Sequence, residues 1–345
     1  MKIRDRGIEI GNLPPGQRNC LTDIPGVKVG HVTLDYPLDK TGNEYACTGV
    51  TAILPHGGNL FREKVTAASF VLNGFGKTTG LVQLDELGLL EAPIMLTNTF
   101  GVPAVTQGTL EYLVRQNPEI GETTGTINIV VGECNDTHLN SIRRFPVKFE
   151  HALQAIDNAT ENLSEEGAVG AGKGMVCFGF KGGIGCSSRL ANAGDLTFTV
   201  GCLVLSNFGK KEEFRHSNFA SGSCEGLEKT TDGSIIIILG TDAPLNERQL
   251  KRVGKRTGIG LGRTGSHFSH GSGDIVIAFS TANKIKHEVQ SSLETRKQLR
   301  EDHLIMNQLF TAAAEAAEEA VVNSMSQAES TKGRHGRVVE KYPFV

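Results

Sequence analysis

Apolar residues along this 345-residue chain come in short runs, separated by glycine, proline and charged clusters. Near the start, Val27-Lys28-Val29-Gly30-His31-Val32 and Val50-Thr51-Ala52-Ile53-Leu54 are apolar-rich pieces bounded by Gly and Pro, and both read as strands. Residues 67–72, 93–97, 127–131, 174–180, 196–205, 234–240 and 274–279 read as further strands. Helical spacing of apolar positions predicts helices over residues 81–90, 107–116, 149–162, 246–258 and 307–328. The last is Ala-rich, with Phe310, Ala313, Ala314, Ala317, Val321 and Met325 on one face. Strands and helices are roughly balanced and no internal repeat is visible, so α/β or α+β layering is expected.

The most apolar run is Ile235-Ile236-Ile237-Ile238-Leu239, and it is entered abruptly. Residues 209–231 before it are polar and charged, the best stretch for an exposed loop. Asp232-Gly233 then gives a turn signal, and Ser234 opens the strand. One reading is a turn feeding a buried strand. The other is a self-cleaving peptide bond between Gly233 and Ser234. Gly233 places no side chain over its own carbonyl, so the Ser234 hydroxyl can attack it. An N-to-O shift and hydrolysis would then leave Ser234 with a free α-amine. That amine has an ordinary pKa of about 7.7–8.0, so it can serve as the local base without a histidine.

Composition narrows the alternatives. Formal net charge is -3 and basic residues are interleaved with acidic ones, which argues against a nucleic-acid partner. Glycine, at 42 of 345 residues, is well above the usual ~7 %, and it clusters in tight-turn motifs between apolar runs. The seven cysteines include no Cys-x-x-Cys pair, as expected for free, buried thiols in a reducing compartment. No secretory signal or membrane-spanning run is seen, so a cytoplasmic location is expected.

Three glycine motifs resemble phosphate cradles, and each fails a requirement. Gly167 to Gly174 has Gly where Ser or Thr must hold magnesium. Gly76-Lys77-Thr78 lacks the upstream glycine, because position 71 is Val. Gly260-Leu261-Gly262-Arg263-Thr264-Gly265 is expected to run into a strand, not a helix. His267 and His270 lack a third ligand at suitable spacing, so no metal is expected. Gly222-Ser223-Cys224 and Gly271-Ser272-Gly273 lack the strand–turn–helix setting of a nucleophile elbow.

Seven segments, in order, resemble the DmpA/BapA family of L-aminopeptidase/D-esterases and β-peptidyl aminopeptidases, peptidase family S58. They are Leu21 to His31, Asn73-Gly74-Phe75-Gly76, Pro93 to Thr99, Gly132-Glu133-Cys134-Asn135-Asp136, Lys181 to Gly185, Asp232 to Leu245, and Gly271 to Thr281. The resemblance implies an α+β fold, a four-layer αββα sandwich like that of the N-terminal-nucleophile hydrolases but with different connectivity. It implies one catalytic domain that cuts itself into residues 1–233 and 234–345, and homo-oligomers of the cleaved heterodimer. Carried over by motif, Ser234 is the nucleophile and Gly233–Ser234 the autocleavage bond. Ser272 would bond Ser234 or its amine, Asp274 would stabilise that amine, and Asn207 would supply an oxyanion-hole amide. Glu133 would bind the substrate's free amino group.

Asn135 stands where some members have a Tyr that gives a second oxyanion donor, and Lys77 stands where an acid is frequent. Outside the resemblance, Glu133 and Asp136 also fit a strand-end turn, Asn207 a loop cap, and Asp274 a partner for Arg263. The expected substrate is a short peptide, amide or ester with a free amine, with no cofactor and no membrane partner. The competing readings are an amide hydrolase of the nylon-oligomer type and an uncut, non-catalytic homologue.

Overall fold

In chain order the strands and helices are β1 (Lys28–Pro37), β2 (Tyr45–Leu54), β3 (Glu63–Gly74), α1 (Leu81–Leu87), β4 (Leu89–Leu90), β5 (Ile94–Asn98), α2 (Val102–Gln116), β6 (Val130–Cys134) and α3 (Phe149–Asp157). There follow β7 (Val176–Cys177), β8 (Phe180–Lys181), β9 (Gly183–Ala193), β10 (Leu196–Asn207), β11 (Ser234–Thr241), α4 (Glu247–Gly254), α5 (Thr257–Thr264), β12 (Gly273–Lys286) and α6 (Ile305–Ser326). A final short ladder joins Thr331–Lys332 to Val338–Val339. This computed structural model describes residues 1–216 and 233–344. The expected polar loop therefore falls mostly outside the described residues, as does Asp232. Its described start makes a 3₁₀ turn, Lys211–Glu213, and buries Phe214.

The strands form two main sheets. One has the order β1-β2-β5-β6, the other β4-β3-β12-β11-β10-β9. Side chains alternate across a strand, so each central strand feeds two cores. On one face of the larger sheet, Ile236, Ile238, Leu203, Leu205 and Ile277 meet Ile53, Ile94, Leu96 and Val130 of the smaller sheet. On its other face, Ile235, Ile237, Leu239, Val204 and Val276 meet Leu250, Leu261, Ala313 and Ala317 of α4–α6. The outer face of the smaller sheet packs Val50, Ala52 and Met95 against Val105, Leu113, Ala152 and Ile156 of α2 and α3. The result is the expected α+β, four-layer αββα sandwich. It also explains why β11 is apolar without alternation: both faces are covered. Each Ile buried there stabilises the fold by about 1.5–3 kcal/mol.

Several elements depart from their predicted limits. The strand predicted from residue 127 starts at Val130, because Asn128 is tied to Glu91 and to the Gly80 carbonyl instead of to a ladder. The helix predicted to residue 162 stops at Asp157, where the Asn158 amide turns to the His31 carbonyl. Residues 174–180 make only a tiny hairpin, turned at Phe178 and Gly179 with φ of 49° and 71°. The helix predicted over 246–258 splits into α4 and α5. Gly260-Leu261-Gly262-Arg263-Thr264-Gly265, expected to precede a strand, lies largely inside α5, where a Cβ on Gly260 would sit 2.3 Å from the Ala314 carbonyl of α6. That motif is a helix-crossing device.

Helix α6 is not amphipathic as predicted. It is buried on all sides from Ala312 to Met325, because the N-terminal segment covers its second face. There Arg4 and the fully buried Arg189 hold Glu319, Arg189 also pairs with Glu315, and Glu315 accepts the Asn12 and Leu13 amides. No helix among the described residues is long and apolar enough to cross a membrane.

Candidate active site

Ser234 is the first residue of β11, near the middle of the six-stranded sheet. Its ladder neighbours are Asn207, the last residue of antiparallel β10, and Gly273, the first of parallel β12. Three strand ends thus meet where the predicted bond lies. By alternation, Ser234 shares the face of Ile236 and Ile238, and Asn207 that of Leu203 and Leu205. Ser234 is buried, and its Oγ accepts the Gly273 amide N–H at 3.2 Å. Gly233 is pressed against β10: a Cβ there would lie 2.0 Å from the Asn207 carbonyl oxygen and 2.6 Å from Phe208 Cα. Only glycine fits without moving backbone. A cleft of about 10 Å³ beside the bond is lined by Phe208, Gly209, Glu213, Gly233, Ser266, His267, Ser269 and Ser272, space for about one water.

The Asn207 side chain is fixed at both ends. Its Oδ1 accepts the Val176 N–H at 2.9 Å, and its Nδ2 donates to the Asn135 carbonyl at 3.0 Å. An amide nitrogen carries two hydrogens, so one remains for another acceptor. Val176 sits in the small β7–β8 hairpin. That hairpin is organised by Lys181, a fully buried lysine whose Nζ donates to the Gly172, Met175 and Gly182 carbonyls. Burial lowers its pKa to about 7.

Ser272 and Asp274 flank Gly273. The Ser272 hydroxyl donates its one hydrogen to Asp274 Oδ1 at 2.7 Å; its oxygen can still accept, which is compatible with a bond from Ser234 or its amine. Asp274 Oδ2 is buried and has no hydrogen-bond partner among the described residues. Burial pushes this carboxyl up to about 6, against the opposing pull of the Ser272 hydrogen bond. Arg263 pairs with Glu318 and not with Asp274.

Glu133 lies on β6, the edge strand of the smaller sheet, and is buried. Its Oε1 accepts the Lys77 N–H at 2.8 Å, and its Oε2 accepts the Thr99 hydroxyl. One small residue, Gly76, lies between it and Gly273. A Cβ on Gly76 would lie 3.7 Å from Glu133 Oε1 and 3.8 Å from Gly273 Cα. Asn135 contributes its carbonyl to Asn207, while its side chain turns to Thr137. Asp136 closes the strand-end turn, its carbonyl accepting from Leu139 and Asn140, and burial raises its carboxyl to about 7. Cys134 lies among Glu133, Asp274 and Asp136. Burial, with those carboxylates, pushes its thiol well above the ordinary value.

The structure places Asn207 beside Ser234 and puts Ser272 and Asp274 on either side of its other neighbour, Gly273, while Glu133 comes from the smaller sheet with Gly76 between it and Gly273. Sequence reasoning missed the holders: Val176 for Asn207, Thr99 for Glu133, and the Gly273 amide for Ser234. Thr99 lay within a segment already noted, but a backbone donor such as Val176 N–H leaves no signal in residue type. No group of three or more potential metal ligands occurs among the described residues.

The peptidase family S58 model matches residues 19–339. The chain belongs to this family. Its enzyme class is aminopeptidase. Among curated relatives of this S58 chain, the β-peptidyl aminopeptidase BapA of Sphingosinicella microcystinivorans is 37 % identical, covering 99 % of this chain and 89 % of the relative. Among solved structures, the PH0078 protein of Pyrococcus horikoshii OT3 is 48 % identical with a TM-score of 0.90, over 99 % of this chain and 96 % of that one. The L-aminopeptidase D-Ala-esterase/amidase of Ochrobactrum anthropi is 33 % identical with a TM-score of 0.88, over 99 % and 95 %. That enzyme is described as a prototype of the serine aminopeptidases and a variant of the Ntn hydrolase fold.

Proposed function

We propose that this S58 aminopeptidase works through an N-terminal serine made by cutting its own Gly233–Ser234 bond. The observation that carries the reading is the meeting of Ser234 with Asn207 and Gly273 at adjacent strand ends. Ser234 Oγ attacks the Gly233 carbonyl, the C–N bond breaks, and the proton passes to the departing nitrogen. Water hydrolyses the resulting ester, leaving residues 1–233 with a carboxylate and Ser234 with an α-amine. The fragments would not separate. Strands β11 and β12 of the second fragment lie between β10 and β3 of the first.

In turnover, Glu133 holds the ammonium of a short peptide, amide or ester. Ser234 Oγ attacks the first carbonyl while its own α-amine takes the proton. The free hydrogen of Asn207 Nδ2 stabilises the oxyanion, an effect of about 2.7–4 kcal/mol for one such donor. The leaving group takes the proton, and water then releases the acyl residue. Asp274 balances the charge on the amine whenever it is protonated, and its buried, unpartnered Oδ2 supports that role.

Intact mass spectrometry under denaturing conditions tests the cut. The wild-type protein should give two species, residues 1–233 and 234–345, and Ser234→Ala one uncut 36.9 kDa chain. An uncut wild-type protein that folds normally would refute the proposal.

A further inference from the structure

Away from the cleft at Gly233, three chain segments enclose a recess of about 440 Å³, lined by Glu44, Ser141, Arg143, Arg144, Arg334 and His335. It shares no lining residue with that cleft. Its charge is uneven. Three guanidinium groups face one carboxylate, in a chain whose formal net charge is -3. Only Arg144 is paired: its Nη2 lies 3.3 Å from Glu44 Oε1. No ion pair among the described residues involves Arg143 or Arg334, and Arg334 Nε is buried with no hydrogen-bond partner. A guanidinium offers five donors, and buried donors are rarely left idle. The Ser141 hydroxyl and Arg144, with Arg334 farther off, hold the Glu44 carboxyl below its ordinary range, so it stays an anion and leaves two cationic groups uncompensated.

The walls are built in advance. Arg334 N–H donates to the Leu139 carbonyl at 2.8 Å, and His335 N–H to the Asn43 carbonyl at 2.9 Å. Ser141 and Tyr45 exchange two bonds, from Ser141 N–H to the Tyr45 carbonyl and from Tyr45 N–H to Ser141 Oγ. His335 is held at φ 55°, a left-handed conformation that costs a non-glycine residue energy and that these bonds enforce. Guanidinium groups on such a frame suit planar, bidentate oxyanions. The volume exceeds one inorganic ion and falls in the range of small-molecule sites, roughly 300–1,000 Å³.

We propose that this recess binds a small organic or inorganic oxyanion of two or more negative charges, through Arg143 and Arg334. The chemistry is shared by phosphates and polycarboxylates. The site also adjoins the catalytic chain: Asn140, beside Ser141, donates to Asp136 Oδ1 at 3.0 Å, and Asp136 follows Asn135.

Isothermal titration calorimetry of the purified protein, at constant ionic strength set with chloride, tests this with inorganic phosphate and with citrate. Saturable binding of phosphate identifies a phosphate site, and binding of citrate alone identifies a carboxylate site. Either should weaken by at least about tenfold in the Arg143→Gln/Arg334→Gln variant. Arg115→Gln, a surface control on α2, should leave binding unchanged. Thermal unfolding establishes that the variants are folded. Absence of saturable heat with both anions, or equal affinity in the double variant and the wild type, would overturn the proposal.

Discussion

Replacing Asn207 separates its structural work from the catalytic work we propose for it. In Asn207→Ala, the Val176 N–H loses its acceptor and the Asn135 carbonyl its donor. Each such bond contributes about 0.5–1.5 kcal/mol net. Asn135 is exposed and Val176 half-buried, so water replaces part of the loss. The expected destabilisation is about 1–2 kcal/mol, which leaves the fold intact. The catalytic loss is larger. Removing one preorganised oxyanion donor costs about 2.7–4 kcal/mol, or 10²–10³ in kcat. KM should hardly move, because the donor acts on charge that develops only in the transition state. Asn207→Asp keeps an acceptor for Val176 N–H but sets a carboxylate against the forming oxyanion, so it should fall below the alanine variant in kcat. The assay is hydrolysis of an aminoacyl p-nitroanilide, normalised to the fraction of cut chain measured by mass. A kcat within about tenfold of wild type in cut Asn207→Ala would remove Asn207 from the mechanism, since that loss is too small for an oxyanion donor.

Two further outcomes are expected. Glu133→Gln should raise KM for substrates with a free amine by about 10–100-fold, the worth of a charged hydrogen bond, and N-acetylated peptides should be inert with the wild type. Wild-type cleavage of a blocked peptide at a comparable rate would contradict ammonium recognition by Glu133. The uncut Ser234→Ala protein should also show the burial of Asp274 in its pH dependence. Its folded carboxyl is raised to about 6, so burial penalises the anion above that pH, and the penalty fades as pH falls toward the unfolded value of about 3.9. Ser234→Ala/Asp274→Asn should therefore unfold at a higher temperature than Ser234→Ala at pH 7–8. The gap should close between pH 6 and pH 4. A gap independent of pH would mean that Asp274 is not held above its ordinary range.

Much of this protein was legible in its residues, for local reasons. The isoleucine run of β11 announces a strand covered on both faces, because no polar position could be buried so often without a partner. Ser234 at its start, after a glycine with no side chain, makes Gly233–Ser234 a candidate for the bond we propose is cut. Glu133, Asn207, Ser272 and Asp274 were found through motif order, and each lies at or beside a strand end. What sequence could not decide was pairing across distance. The register of β12 beside β11 gives the Gly273 amide to Ser234, and the fold turns the Ser272 hydroxyl hydrogen to Asp274. Helix α6 reads as one-sided, and only the N-terminal segment folding over it, with Arg4 and Arg189 neutralising its acids, makes it central. The amides of Val176 and Lys77 that fix Asn207 and Glu133 belong to the backbone, which every residue carries alike. Only the tertiary fold selects which of those donors faces which side chain.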